Sequence, residues 1–485
     1  PSVGPDVTVG TNLVDFLHSQ GLTGTHYTCR KGGCGSCTVV GKYTDPSTGE
    51  NKEYAFNSCL AMVHACDGWE ITTVEGLGNR HDGYHVVQDR LADFSGTQCG
   101  FCSPGMVMNM YGLTQQKKDG WTASDAEHLL DGNLCRCTGY RPILDAWKSV
   151  TPQDIEDLPK CAKGGGCCKK KGNVPKACSK SGGNTDANLP RDIVGGGVTL
   201  YQPDSIQALY DTLNGLEDGT KYKLSCGDTG KGVYNDEDIT AYINTRTVTE
   251  LNAQEATYEN LVFGSAVSIA DVISTLEEAA KTRPGYSYAT LLAKHWRHVA
   301  STQIRNLGSW AGNLGLKATH SEFPSDIFIS LVGTDATITT GLASDGSVTS
   351  HTVEELVTFD FRSEKRVILQ LKIPPMSDDV IYRSYKIMPR AAWAHAVVNA
   401  VFRFQVDRDN QHTVIGTPTI AFGGINPTFV HASNTETLLS GASLEDPSVL
   451  QAAIASLATE VVPDNLPIDA SPEYRVALTQ NLLYK

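Results

Sequence analysis

Apolar positions recur at two different periods along this chain, and the change of period marks its segments. Near the start, Leu13, Phe16 and Leu17 fall on one helical face, with Thr11 placed to cap it. Cys37-Thr38-Val39-Val40 and Glu70-Ile71-Thr72-Thr73-Val74 are β-rich runs set among Gly-rich turns, so residues 1–75 predict a small α+β domain. Residues 76–158 read as helical, and Ser124 with Glu127 makes a capping box ahead of Leu129 and Leu130. From residue 190 apolar strands alternate with helix-like stretches, broken by two Gly-rich loops. Pro374-Pro375 interrupts both kinds of element and divides this part into 190–375 and 376–485. No run approaches the roughly 18 consecutive apolar residues of a membrane-spanning helix, and no internal repeat is visible.

Between 159 and 189 the periodicity stops. Leu158 to Thr185 carries seven lysines, no acidic residue and the runs Gly164-Gly165-Gly166 and Gly182-Gly183. Such a stretch cannot bury a core and reads as a surface linker. A nucleic-acid arm is the alternative, but no aromatic is interleaved for stacking. The whole chain has 40 Lys plus Arg against 54 Asp plus Glu, a formal charge of −14. That balance argues against nucleic acid or an anionic membrane as partner. Its 485 residues suggest about three domains.

Cysteine placement changes the picture most. Of 14 cysteines, nine lie within the first 140 residues and only Cys226 lies beyond 178. Clusters at short spacing point to metal ligation in a reducing compartment, hence a cytoplasmic protein, and no basic-then-apolar leader precedes them. Cys29-x4-Cys34-x2-Cys37, with Cys59 beyond, has the spacing of a plant-type 2Fe–2S site. Gly32, Gly33 and Gly35 permit the tight loop and leave N–H groups free to bond sulfur. A zinc site or two disulfides are the alternatives, but the second C-x2-C of a zinc ribbon is not at its usual distance. Cys99-x2-Cys102 with Cys135-x-Cys137 forms a second constellation, for which zinc remains a rival when it is taken alone. Pro104 suits a first helical turn, which would place these thiols at helix N-termini, where thiolate is favoured. Cys66 and Cys226 read as buried small hydrophobes. Cys161, Cys167, Cys168 and Cys178 sit among lysines, where oxidation is favoured.

Two loops downstream could meet a phosphate. Leu224-Ser225-Cys226-Gly227-Asp228-Thr229-Gly230-Lys231 follows a strand-like run, and its glycines let backbone N–H groups approach an anion. It is neither a dinucleotide fingerprint nor a Walker loop, and an ordinary turn fits it as well. The second is Gly308-Ser309-Trp310-Ala311-Gly312-Asn313.

The two cysteine motifs, in this order, resemble the two iron–sulfur domains of the molybdenum hydroxylases, the xanthine dehydrogenase and aldehyde oxidase family. The resemblance implies an α+β multidomain fold. A β-grasp ferredoxin-like domain (1–75) and a four-helix-type domain (76–158) are followed, past the linker (159–189), by a two-part α+β FAD-binding region. All eight ligand positions of that family are cysteine here. The resemblance also sets Gln98 against the molybdopterin and has the two Gly-rich loops grip the flavin diphosphate. It places Asp326 near the ribose, with Ile368 and Lys386 as further flavin contacts. RNLGSWAGNL, EFPSDIFIS and SYKIMPRAAWAHAVVNA are more similar to invertebrate aldehyde oxidases than to xanthine dehydrogenases. Asp228 replaces a usual asparagine and needs neutralising, for which Lys231 is at hand. Trp310 is bulkier than the usual residue of its loop, and most of the family's first strand is missing.

By that resemblance the chain is the electron-transfer portion of an oxidoreductase and contains no residue of the substrate step. The molybdenum cofactor is expected on a cleaved or separate C-terminal partner segment, with electrons leaving FAD for dioxygen and the complete enzyme a homodimer. NAD as acceptor is the alternative within the family. The loop Met388–Trp393 offers it only Arg390 beside Ala391, Ala392 and Trp393. A structural or storage role for the fold is the alternative of another class, and the intact cysteine set speaks against it.

Overall fold

The computed structural model describes residues 3, 7–117, 120–151, 192–234, 238–465 and 470–485. The Lys-rich linker with Cys161, Cys167, Cys168 and Cys178 lies outside the described residues. Two compact units are present: Pro1–Gln202 with Gly219–Asn244 and Ser301–Leu307, and Pro203–Asp218 with Thr245–Ala300 and Gly308–Lys485.

The first unit opens with helix Leu13–Ser19, whose Leu13, Phe16 and Leu17 are buried as the apolar spacing requires. Its cap is Asn12 rather than Thr11. Thr11 is drawn into a pairing outside the helix, where its carbonyl accepts from Val63 N–H and its hydroxyl meets Thr8. The helix packs with an antiparallel sheet of three strands, in which Thr38–Thr44 is flanked by Asn51–Asn57 and Glu70–Thr72. Four helices follow: Val86–Asp93, Ser103–Gln116, Ala123–Leu129 and Arg141–Lys148. Val87, Leu91, Met106, Met110, Ile143 and Trp147 close their core. The expected Ser124–Glu127 box is displaced. Thr122 is the cap and Asp125 completes the box, its carboxylate accepting from Thr122 N–H at 2.8 Å. Glu127 is held instead by Lys148.

A sheet of four short strands, ordered Ile193–Gly195, Val198–Tyr201, Ala241–Asn244 and Tyr222–Ser225, completes the unit with helix Thr302–Leu307. The last three strands are parallel to one another. The helix joins the iron–sulfur motifs rather than the chain around it in sequence, since Asn306 Nδ2 donates to Ala55 O at 2.9 Å.

The second unit carries two antiparallel sheets. One is ordered Val348–Thr352, Thr337–Leu342, Arg366–Ile373, Leu261–Gly264 and Gln254–Ala256. Helices Ile269–Thr282 and Ala289–Arg297 contribute Val272, Leu276, Leu292 and Trp296 to the same core. The other sheet, Val380–Ile387, Val398–Asp407, Thr419–Gly423 and Val430–His431, packs with helices Pro447–Glu460 and Pro472–Tyr484. Tyr382, Val401 and Ala421 from this sheet also enter the first sheet's core, so the second unit runs continuously past Pro374-Pro375. Among the described residues no helix is long and apolar enough to cross a membrane.

An ion triad ties the two parts of this unit. His431 Nδ1 meets Glu354 Oε1 at 2.9 Å and its Nε2 meets Glu436 Oε1 at 2.7 Å. Hydrogen bonds from Glu354 and then Glu436 push the imidazole pKa up to about 10. The folded value exceeds the ordinary one of about 6.5, so the stabilisation is complete below about pH 6.5 and lost as pH rises through about 10. His431→Gln should therefore be less stable than wild type at pH 6.5, and the gap should close by pH 10.5. Urea midpoints at the two pH values check this, and a gap that stays constant would remove the charge from the explanation.

Candidate functional site

The Cys29–Cys37 loop turns through Arg30, Gly32 and Gly35, all at positive φ. Asp15 holds the Arg30 guanidinium through two hydrogen bonds, of 2.8 and 3.0 Å. Strand pairing fixes the other end, where Ser58 Oγ donates to Cys37 O at 2.7 Å. This brings Cys59 beside Cys37, while Cys29 stands beside Cys34. The second constellation is built likewise. Cys102 is the residue before helix Ser103–Gln116, with Pro104 in its first turn, and is paired with Cys135. Cys99 is paired with Cys137.

The eight thiols thus stand as four pairs. Within each pair the mutual contact favours ionisation of one thiol and disfavours it in the other. Cys34, bonded to Cys29 and to Ser36, is drawn down to about 4, while the same contact pushes Cys29 up. Cys37 is likewise lowered and Cys59 raised by their mutual bond. Burial, then the bond to Cys135, pushes Cys102 up to about 12. Burial acts against ionisation of Cys135 too, but hydrogen bonds from Thr138 outweigh it. Backbone N–H at Phe101 and the thiol of Cys137 lower Cys99.

Among the described residues no three His, Cys, Asp or Glu side chains converge as a single ion requires. Paired thiols fit a binuclear 2Fe–2S cluster instead, in which each iron takes two cysteine sulfurs. Donors for sulfur are also present: Lys31 N–H at 3.4 Å from Cys29 Sγ and Asn57 Nδ2 at 3.6 Å from Cys37 Sγ. The two constellations differ in exposure. Cys34, Cys37 and Cys59 are buried, whereas Cys99 and Cys137 are exposed. Around the latter pair Gln98 is exposed, Phe101 is 47% exposed and Leu134 61%.

In the first unit, Leu224 and Ser225 end strand Tyr222–Ser225, and Cys226 and Gly227 lead to Asp228 at φ 52°. Thr229–Gly232 is a single 3-10 turn containing Gly230 and Lys231. Asp228 is neutralised as expected, but by two cations. Lys223 Nζ is 2.9 Å away and Lys231 Nζ 3.5 Å. Lys223 reaches Asp228 from across the turn, on the strand, and carries no motif that the sequence could flag. Lys231 also bonds Asn12 Oδ1 at 2.7 Å. Burial lowers its pKa, and Asp228 opposes that shift.

In the second unit, Ser309 caps helix Trp310–Thr319 and accepts from Gly312 N–H at 3.1 Å. The bulk of Trp310 does not crowd the loop, because its indole is wholly buried and donates to Gly264 O at 2.8 Å. Ala311 is buried too, and Asn313 Oδ1 accepts from Ser325 Oγ at 2.6 Å. Ile368 lies buried in strand Arg366–Ile373. Asp326 and Lys386 come together, Oδ2 to Nζ at 2.7 Å, both side chains buried. Asn399 Nδ2 donates to Asp326 Oδ1 at 2.9 Å, and His295 Nε2 lies 3.7 Å from the same oxygen. Burial alone would raise the Asp326 pKa, but Lys386 and His295 hold it well below the usual carboxylate range. Neither Asn399 nor His295 carries a motif that the sequence could flag.

Four family models match the chain in sequence order. They are a 2Fe-2S iron-sulfur cluster binding domain at 4–64 and a 2Fe-2S binding domain at 73–148, then two flavoprotein models. These are an FAD binding domain in molybdopterin dehydrogenase at 196–376 and a CO dehydrogenase flavoprotein C-terminal domain at 383–485. An indole-3-acetaldehyde oxidase of Zea mays is 33% identical over 99% of this chain and 36% of its own length. An abscisic-aldehyde oxidase of Arabidopsis thaliana is 32% identical over 98% and 37%. The chain therefore spans a little over a third of these curated relatives. Among solved structures, a chain of carbon monoxide dehydrogenase from Hydrogenophaga pseudoflava shares the fold at TM-score 0.50 and 17% identity. The match covers 61% of this chain and 96% of that one.

Proposed function

Since this chain belongs to the molybdenum hydroxylase family, as an iron–sulfur and FAD portion of it, we propose that it carries electrons from a molybdenum-cofactor segment outside the chain to dioxygen, in an enzyme that oxidises aldehydes. The observation that carries this reading is the four thiol pairs, which suit two binuclear clusters. When bound, such clusters pass single electrons and FAD gathers them in pairs.

The chain's own residues hold and tune these groups. Cys29, Cys34, Cys37 and Cys59 hold one cluster in a largely buried setting; Cys99, Cys102, Cys135 and Cys137 hold the other near the surface. Exposed Gln98, Phe101 and Leu134 make a part-apolar rim around the second, which suits a partner segment delivering electrons there. Of the two loops expected to meet FAD, Leu224–Lys231 in the first unit offers backbone N–H groups beside a neutralised Asp228; Ser309–Asn313 in the second unit, taken by itself, offers the start of a helix. Asp326 acts with Lys386 as a fixed ion pair, and Ile368 contributes apolar surface.

Dioxygen is favoured over NAD by Arg390. Its Nε and Nη2 both donate to Trp393 O, and its guanidinium lies 5.0 Å over the Trp393 ring. Two of the five guanidinium donors that NAD phosphates could use are thereby taken.

Elemental analysis of the isolated protein tests the proposal. About four irons per chain are expected for two binuclear clusters, with bound flavin. Molybdenum beside them would mean that the partner segment is retained. Absence of iron would end the redox reading and leave a structural role for the fold.

A further inference from the structure

We propose that the buried amides of Asn109, Asn133 and Gln303 are positioning residues for electron exchange between the two iron–sulfur sites. They hold the two ligand loops in direct backbone contact. The inference rests on the cluster assignment above.

The contact itself is short. Leu134 N–H donates to Cys34 O at 2.8 Å, and Leu134 precedes Cys135. A path from a ligand of one cluster to a ligand of the other therefore crosses a single hydrogen bond. Glycines make so close an approach possible. A Cβ on Gly35 would stand 2.1 Å from Gly132 O, and one on Gly105 2.3 Å from Gly35 O. Neither position tolerates a side chain without moving a loop.

Three amides pin this junction. Asn133 Nδ2 donates to Gly35 O at 3.0 Å, and its Oδ1 accepts from Asn109 Nδ2 at 2.6 Å and from Gln303 Nε2 at 2.9 Å. Asn109 Nδ2 also reaches Leu129 O at 2.9 Å. Tyr140 OH completes the hold, donating to Asn133 O at 3.2 Å and accepting from Cys135 N–H at 2.9 Å. All three amide residues are buried. A merely stabilising core would be filled more cheaply by apolar groups, because buried amides cost free energy unless every bond is made. Among the described residues Oε1 of Gln303 and Oδ1 of Asn109 have no hydrogen-bond partner, so the amides are retained at a cost. Gln303 also arrives from far along the chain, on helix Thr302–Leu307, 170 residues after Asn133. That helix belongs to the same compact unit as the iron–sulfur motifs.

The test uses the full chain loaded with iron and sulfide. Gln303→Leu removes one donor to Asn133 and leaves all eight cysteines in place. Iron should remain at about four per chain. The magnetic interaction between the two reduced clusters, read by low-temperature electron paramagnetic resonance, should weaken or vanish. Gln303→Asn keeps the amide but withdraws it by one methylene, and should fall between wild type and the leucine variant; it carries the test should Gln303→Leu lose iron. An unchanged interaction in a variant holding full iron would overturn the inference and leave the cluster assignment standing. A wild-type chain that takes up no iron would remove both.

Discussion

Cys37→Ser is expected to halve the iron bound by this chain, from about four to about two per chain. Cys37 is 1% exposed and paired with Cys59, on the buried side of the first constellation. A serine hydroxyl there is nearly the same size, but it does not ionise near neutral pH, so an iron would lose one of its two sulfur ligands. The loop has no spare donor at that point. Asn57 is already the neighbour of Cys37 Sγ at 3.6 Å, and Ser58 Oγ is engaged by the Cys37 carbonyl. The second constellation meets the first at the Leu134–Cys34 hydrogen bond but shares no cysteine with it, and a change at Cys37 leaves that bond in place, so its two irons should stay. Cys99→Ser should give the mirror result, leaving the buried cluster and removing the exposed one. Iron analysis with electron paramagnetic resonance of each reduced variant separates the two signals. If both variants kept four irons, or if each lost all four, the assignment of two independent four-cysteine sites would be wrong.

What the sequence made legible was whatever chemistry repeats at short range. Cys29, Cys34 and Cys37 lie within one loop, so their spacing alone predicted a binuclear site, and the thiols do stand as pairs suited to one. Helix Leu13–Ser19 was visible from its apolar face, but its cap was not, because Thr11 is claimed by Val63 from elsewhere in the chain. The box at Thr122–Asp125 was misplaced by two residues because Ser124 and Glu127 satisfy the same pattern, and only the pairing of Glu127 with Lys148 decides between them. Trp310 looked like an obstacle in a loop because nothing local shows that the first residue of its helix faces inward. Asn133, Gln303, His295 and Asn399 act through partners up to 170 residues away, and one isolated amide or imidazole has no signature. Long-range polar contacts were thus the part that could not be read.

The same distinction sets the second large effect. Lys386→Met should destabilise the second unit by about 3–5 kcal/mol, the cost of leaving a buried charge without its partner. Both side chains of the Lys386–Asp326 pair are nearly inaccessible, and Nζ also donates to His298 O at 2.8 Å. Methionine fills the volume, so the loss reports the charge more than a cavity. With the ammonium gone, Asn399 and His295 remain, but burial then dominates and the Asp326 carboxyl should titrate above its ordinary range. The sign of the pH dependence follows. In wild type the depressed pKa gives stability that is present above about pH 4 and lost on acidification. In the variant that contribution disappears, and stability should instead rise as pH falls below the carboxyl's raised pKa, until about pH 4, where the unfolded chain is protonated too. Lys386→Met combined with Asp326→Asn removes both charges and keeps the amide's hydrogen-bonding capacity, so it should recover most of the loss. Urea unfolding followed by tryptophan fluorescence reads this directly, since Trp296 and Trp310 are wholly buried in the same core. A double variant no more stable than Lys386→Met alone would show that Lys386 acts by packing or through His298. A loss below about 1 kcal/mol would place the pair with exposed ion pairs, against its burial.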